Sequence, residues 1–310
     1  SNPANNSGMP VISGDGSTIV FKSGASNLIS GFVDNNQFGS DFYAYTRSTG
    51  AIRLLTSDRI TPLKGGDGNE IFSASFPVAV SSDGSSIAFQ SLSTNLVAND
   101  NNLVADVFLV EGSTRTLLSR RDPANSIATL AGGYTTGSST DGRYVLIVSP
   151  GANISLSAPA MLYIKDTQTG DLIQVNEGRS VTIADAAISP DGRYVVFSDG
   201  AVKLFDRVNH TLEVISKKPD GTSSSGSFFR NVALSADGRY VAFVGNATDL
   251  IAGLSDPNGA QVDLYLRDRQ LGTTILVNRL AGSATTTSRA PTTRSPAPTC
   301  CRRCAGGCAP

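Results

Sequence analysis

Short stretches of alternating apolar and polar residues recur through the first 280 positions, and no apolar period of 3.6 residues is sustained over helical length. The chain therefore predicts strands. They are punctuated by one signal, Ser-x-Asp-Gly, at 13–16, 81–84, 139–142, 189–192 and 235–238, and the last three copies continue as Arg-Tyr-Val. Each signal follows a short apolar stretch such as PVAVS and precedes a β-branched, aromatic one such as YVVFS. Two strands joined through Asp-Gly predict a hairpin whose turn needs positive φ. A third strand follows in every unit (DFYAY at 41–45, DVFLV at 106–110, MLYIK at 161–165, VKLF at 202–205, DLYLR at 263–267), and a fourth comes after a further turn.

The signal aspartates, Asp15, Asp83, Asp141, Asp191 and Asp237, lie 68, 58, 50 and 46 residues apart. Four antiparallel strands repeated at such intervals are the blade of a β-propeller. The expected fold is all-β, with five four-stranded blades at 9–56, 76–119, 134–176, 184–216 and 230–279, after an N-terminal extension at 1–8. Each outer strand belongs to its own repeat, so no spare strand latches first blade to last. Either five blades close by packing face to face, or the chain is a fragment of a six- to eight-bladed ring. Residues 281–310 abandon the pattern and are expected to form a disordered Thr/Pro/Cys-containing tail.

These residues resemble the TolB-type WD-like (PD40) repeat, whose signature is an apolar strand, Ser-Pro-Asp-Gly, a strand ending in Ala-Phe and a later Asp-aromatic strand. The resemblance covers about residues 9–279, with 189–197 the nearest copy. It implies a bacterial, exported propeller, periplasmic or extracellular. Such propellers serve as periplasmic binding proteins, as gating domains of prolyl oligopeptidase-like enzymes and as modules of secreted proteins. The α/β domain that precedes the propeller in TolB is not in these 310 residues.

Composition narrows the partners. Residues 281–310 hold four Arg and no acid, leaving 21 basic against 26 acidic residues in the body. A mildly acidic body argues against nucleic acid, and no apolar run approaches the roughly 18 residues of a membrane span. A protein or glycan partner and a monomeric state are expected. The four cysteines, Cys300, Cys301, Cys304 and Cys308, lie in the tail without the paired knuckles of a zinc site. A start at Ser1 rather than Met suggests a processed or excised segment.

One constellation recurs between second and third strands: Asp34, Asn36 and Asp41; Asp100, Asn102 and Asp106; Asp256, Asn258 and Asp263. A further side-chain oxygen stands upstream of each, at Asn27, Asn95 and Asp249. Carboxylates and amide oxygens so spaced supply the hard ligands Ca²⁺ prefers, at the weak, extracellular end of its range, roughly 10⁻⁴ to 10⁻³ M. Asx turns on the loop's own backbone explain the same residues without metal. Acids are present together in these three units, whereas the other two have Met161 and Ala201 in the place of the strand-opening Asp.

Catalysis finds little support. The signal Asp residues serve turns, and the Arg-Tyr pairs after them are expected to pack on neighbouring blades. His210 sits in a predicted hairpin turn, and no Gly-x-Ser-x-Gly elbow is present. A glycosidase needs two facing carboxylates, yet among innermost-strand positions Met9, Pro77, Thr135, Asp185 and Asn231 only Asp185 is acidic. Loop acids such as Asp67 and Glu70 could still lean over the mouth. Tyr134, Asp185, Arg230 and Asn231 are the candidate ligand-binding residues at the channel entrance. The expected function is a non-enzymatic binding or scaffold propeller acting through its loop face or central mouth and stabilised by Ca²⁺. The alternative is a propeller glycoside hydrolase or the gating propeller of a peptidase.

Overall fold

The computed structural model describes residues 7–36, 39–68, 78–100, 102–119, 133–149, 161–176, 185–226, 228–257 and 261–287. Among these residues twenty strands form five antiparallel sheets, each in plain sequential order. Blade 1 contains β1 (Ser7–Ile12), β2 (Thr18–Ser23), β3 (Asp41–Thr46) and β4 (Ala51–Leu54). Blade 2 contains β5 (Ala79–Val80), β6 (Ser86–Ser91), β7 (Asp106–Glu111) and β8 (Thr114–Leu117). Blade 3 contains β9 (Tyr134–Ser138), β10 (Tyr144–Ser149), β11 (Met161–Asp166) and β12 (Leu172–Gln174). Blade 4 contains β13 (Asp185–Ile188), β14 (Tyr194–Ser198), β15 (Val202–Asp206) and β16 (Thr211–Val214). Blade 5 contains β17 (Phe229–Leu234), β18 (Tyr240–Gly245), β19 (Asp263–Asp268) and β20 (Thr273–Leu276). The first strands of consecutive sheets lie beside one another, as in a propeller.

Each Ser-x-Asp-Gly signal builds its turn as its chemistry requires. The Ser13 hydroxyl donates to Asp15 at 2.7 Å, Asp15 accepts the Ser17 N–H at 2.8 Å, and Gly16 takes φ 68°. The same set recurs at Ser81/Asp83, Ser139/Asp141, Ser189/Asp191 and Ser235/Asp237. Led by the Ser81 hydroxyl, these donors hold the Asp83 carboxyl down at about 2. Consecutive turns are then tied blade to blade: Asp15 N–H to Ser82 C=O at 2.8 Å, Ser82 to Thr140 at 2.7 Å, Thr140 to Pro190 at 2.8 Å. Pro190 has no N–H, so the relay stops there.

The Arg-Tyr pair divides its labour, which corrects half of the expectation. Tyrosine does pack on the neighbour: a Cβ at Gly192 would overlap the Tyr144 ring, and one at Gly238 the Tyr194 ring. Arginine instead turns back within its own blade, as Arg143–Asp166 (2.8 Å), Arg193–Asp206 (2.8 Å) and Arg239–Asp268 (2.7 Å). The following blade supplies a second cation over each of these two rings, Arg207 at 3.8 Å from Tyr144 and Arg269 at 5.2 Å from Tyr194.

The apolar core is a series of junction layers. Val20, Phe42 and Leu55 meet Ile87 and Phe89; Ala88 and Leu109 meet Val145 and Ile147; Leu146 and Ile164 meet Val195 and Phe197; Val196 and Leu204 meet Val241 and Phe243. Among the described residues no fifth layer joins blade 5 to blade 1.

Ordered structure also runs past the boundary placed at 280. Ser255 N–H donates to Thr285 C=O at 2.8 Å, Leu280 N–H to Thr286 C=O at 2.7 Å, and Thr287 is buried. Backbone pairing with the blade 5 loop holds these polar residues, a signal that composition does not carry. The remainder of the tail, with all four cysteines, lies outside the described residues, as does Glu70.

Candidate functional site

In blades 1 and 2 the acidic connections between second and third strands place buried oxygens without matching donors among the described residues. In blade 2, Asp100 is 7% exposed and its Oδ1 meets no hydrogen-bond donor. Asp106 is fully buried; it accepts the Asn102 Nδ2 at 2.7 Å and the Ser119 hydroxyl at 2.5 Å. Burial foremost, then the Asp106 charge, pushes the Asp100 carboxyl up to about 7. Burial raises Asp106 as well, against the hydrogen bonds from Ser119 and Asn102. No ion pair reaches either carboxylate among the described residues.

Blade 1 repeats the arrangement. Asn36 N–H closes an Asx turn on Asp34 at 3.1 Å and its Nδ2 donates to Gly68 C=O at 3.1 Å, while its buried Oδ1 finds no donor among the described residues. Asp41 is buried beneath and accepts the Thr56 hydroxyl at 2.6 Å. Its own burial, with the Asp34 charge adding, lifts it to about 6. In blade 5, Asp263 is buried and accepts Asn278 Nδ2 at 2.8 Å, and Asp256 accepts the Thr287 hydroxyl at 3.2 Å. Asn258 lies outside the described residues.

Among the described residues no three His, Cys, Asp or Glu side chains gather as a metal-holding group. A cation in these loops would draw on two carboxylates with amide, hydroxyl or backbone oxygens, a hard mixed set that suits Ca²⁺ rather than zinc. The upstream oxygens do other work. Asn95 donates to Asp58 at 2.9 Å and accepts the Asp67 N–H at 3.1 Å, and Asp249 accepts the Ser225 N–H at 2.9 Å. Both fasten the segment leaving the preceding blade. Asp67 is likewise committed, to the Thr94 N–H and hydroxyl at 2.7 Å each, so it does not lean over the mouth.

The four mouth candidates come together on β9, β13 and β17. Asp185 Oδ2 accepts the Val232 N–H at 2.9 Å across the blade 4–5 junction. There β17 bulges between Arg230 and Ala233 and Asn231 takes φ 53°. Burial raises the Asp185 carboxyl, opposed by backbone N–H groups including those of Val232 and Asn231. Tyr134 is half-buried, and its hydroxyl is raised by burial and by the Asp185 charge. Arg230 is exposed, its guanidinium 4.9 Å from the centre of the Phe228 ring. The acid flagged for chemistry thus staples a bulge, and the accessible groups beside it are Arg230, Asn231 and Phe228. His210 is exposed at φ 51° in its hairpin turn, edge-on to Phe205.

One pocket escaped sequence reasoning. Blade 4 joins β14 to β15 through residues 199–201 alone, where blades 1, 2 and 5 carry long loops. The space left beneath the segment 216–226 is a cavity of about 560 Å³, lined by Asp199, Lys203, Leu212, Ser216, Ser223 and Phe229 among others. Lys203 Nζ pairs with Asp199 Oδ2 at 2.8 Å, and Asp199 Oδ1 is buried without a donor. The short connection was the available signal.

No protein-family model matches the chain, and no curated protein matches it in sequence. Solved structures do. An oligogalacturonate lyase in complex with manganese aligns over 87% of this chain and 64% of its own, at 12% identity and a TM-score of 0.53. A prolyl endopeptidase aligns over 89% of this chain and 36% of its own, at 14% identity and a TM-score of 0.52. A structure described as TolB from Agrobacterium tumefaciens aligns over 88% and 80%, at 16% identity and a TM-score of 0.46. At these identities the likeness shows a fold, that of the β-propeller, and no helix among the described residues is long and apolar enough to cross a membrane.

Proposed function

We propose that the protein is a non-enzymatic, exported binding propeller that engages a protein or glycan through its loop face and mouth, with Ca²⁺ holding the acidic loops of blades 1, 2 and 5. The observation that carries this reading is Asp100, a buried carboxylate with an unpartnered oxygen beside a second buried carboxylate. Two such charges together are costly unless a cation or a proton joins them. A divalent ion of hard-ligand preference answers both the charge and the unpartnered oxygen, and Asn36 Oδ1 repeats the need in blade 1. Weak binding suits a compartment where calcium is plentiful, which is why an exported location goes with this chemistry.

Loops fixed on a rigid scaffold are where binding groups concentrate. Exposed Arg230, Asn231 and Phe228 offer a cation, an amide and an aromatic face at the mouth, suited to a protein surface or a sugar ring. The engagement of Asp185 by backbone N–H groups favours binding over hydrolysis, since a general acid or nucleophile must be free to meet its substrate. Calorimetric titration tests the metal half: heat of binding with a dissociation constant in the range of about 10⁻⁴ to 10⁻³ M is expected. No heat and no gain in melting temperature would remove it. Turnover of arabinan-, xylan- or pectin-type oligosaccharides that Asp185→Asn abolishes would overturn the binding half.

A further inference from the structure

Each junction between blades is made from the same parts. On the forward face of one blade, a row from its second and third strands packs against alternate residues of the next blade's second strand: Ile87 and Phe89, Val145 and Ile147, Val195 and Phe197, Val241 and Phe243, all nearly inaccessible to water. The residue after the hairpin turn is covered by the next blade's turn glycine, as Thr18 by Gly84, Ser86 by Gly142, Tyr144 by Gly192 and Tyr194 by Gly238. The segment leaving a blade then reaches over the next one, where Asn95 or Asp249 receives it.

Both ends of this series are unfinished, and they are opposite halves of one junction. Blade 5 presents a complete forward face on which no other blade packs among the described residues: Tyr240 is 37% exposed, Ile275 is 49% exposed, and Ala242, Val244, Leu264 and Leu266 are only half-buried. Their equivalents Leu146, Val148, Leu162 and Ile164 in blade 3 are buried. Blade 1 presents the rear face: Ile12 is 61% exposed, and Ile19 and Phe21 are only half-buried. A Cβ at Gly16 would touch only its own blade's Ile12, whereas the four later turn glycines abut the preceding blade. Asn27, the counterpart of Asn95, is exposed.

The segment leaving blade 5 continues the scheme. The bridges Ser255–Thr286 and Arg279–Thr287 reproduce Val33–Lys64 and Ser57–Gly65 of blade 1, the segment that goes on to clasp blade 2. Residues 279–287 therefore hold the position that the outgoing segment 57–65 holds on blade 1. We infer that the forward face of blade 5 docks on the rear face of blade 1 of a second copy, so that copies associate head to tail through a fifth junction of the kind already made four times within the chain. Such a contact is heterologous: one copy uses blade 5 and the other blade 1, and further copies add into a ring where the rotation closes and an open filament where it does not. An unsatisfied apolar sheet face rimmed by polar residues is the sort of surface that association buries. This departs from the monomer expected above and stands independently of calcium.

Sedimentation velocity on the intact chain, over about a hundredfold range of concentration, tests it. Species heavier than the 32.2 kDa chain, increasing with concentration, are expected. Tyr240→Arg together with Ile275→Lys should hold the protein at one chain mass, as should Ile12→Arg; these positions are exposed, and an unchanged melting curve shows that each variant folds. Mixed together, the two end-blocked proteins retain one free half each and should form a one-to-one pair and nothing larger. A single-chain mass for the unmodified protein at every concentration, whether from closure of blade 5 on its own blade 1 or from a face left bare, would overturn the inference. So would association that survives both blocks.

Discussion

Two buried aspartates with Oδ1 atoms unpartnered among the described residues, Asp100 in blade 2 and Asp199 in blade 4, both lie in the connection between the second and third strands of their repeats. Their electrostatic surroundings are opposite. Asp199 has a lysine four residues on, with Lys203 Nζ 2.8 Å from Oδ2, so its charge is met inside the protein. Asp100 has another acid six residues on, Asp106, and its carboxyl is driven up to about 7 by burial first and that neighbour second. Loop length explains the divergence: three residues between β14 and β15 let a strand lysine reach back, whereas the longer blade 2 loop folds a second carboxylate inward. A buried carboxylate needs a counter-charge; one repeat carries its own, and in the proposed reading the other takes one from solution.

The largest effect should come from breaking the internal solution. Lys203→Met leaves the buried Asp199 without its partner, and loss of about 2 kcal/mol is expected by denaturant unfolding, below the range for fully buried pairs because Lys203 keeps some exposure. Adding Asp199→Asn should recover most of it. The second test inverts the sign. Asp100→Asn removes one of two like charges, so without metal at pH 8 it should stabilise by about 1 kcal/mol, while the gain in melting temperature on adding Ca²⁺ disappears. Destabilisation of the metal-free protein by Asp100→Asn would break the comparison.

The pH dependence is a third test. Asp100 and Asp41 titrate near 7 and 6 in the folded protein and near 3.8 when unfolded. Between those values the folded state holds more protons, so metal-free stability should fall as pH rises from about 4 to 7. Asp206 and Asp268, held at about 2 by Arg193 and Arg239, work in the opposite sense but only below about pH 4. Thermal melts in chelator against saturating Ca²⁺ should diverge steadily as pH climbs. Parallel curves would show that the blade 2 carboxylates do not govern the response.

The fold was readable because the repeat states its own geometry. Asp-Gly at 15–16, 83–84, 141–142, 191–192 and 237–238 fixes five turns of positive φ, and strand periodicity on either side fixes which residues face a neighbour. The roles of the side chains were less legible. Arg143 and Tyr144 are adjacent in sequence but alternate in direction on the strand, so one pairs with Asp166 in its own blade while the other meets Gly192 of the next. Asp185 stood out by type on an innermost strand, yet it serves a bulge 46 residues later at Asn231, a feature of backbone geometry that residue identity does not announce. An Asx turn and a cation loop share the pattern Asp-x-Asn, and the buried Oδ1 atoms of Asn36 and Asp100, on which the proposed reading rests, are visible only in three dimensions. The cavity beside Lys203 arises from residues that blade 4 lacks, and an absence leaves no motif.

The most direct measurement is a calcium-soaked crystal structure with anomalous scattering recorded at the blade 2 loop. An anomalous peak bonded to Asp100 and Asp106 oxygens at about 2.3 to 2.6 Å is the predicted result. Ordinary water at that position in saturating calcium, with Asp100 hydrogen-bonded to it as a neutral acid, would contradict the account.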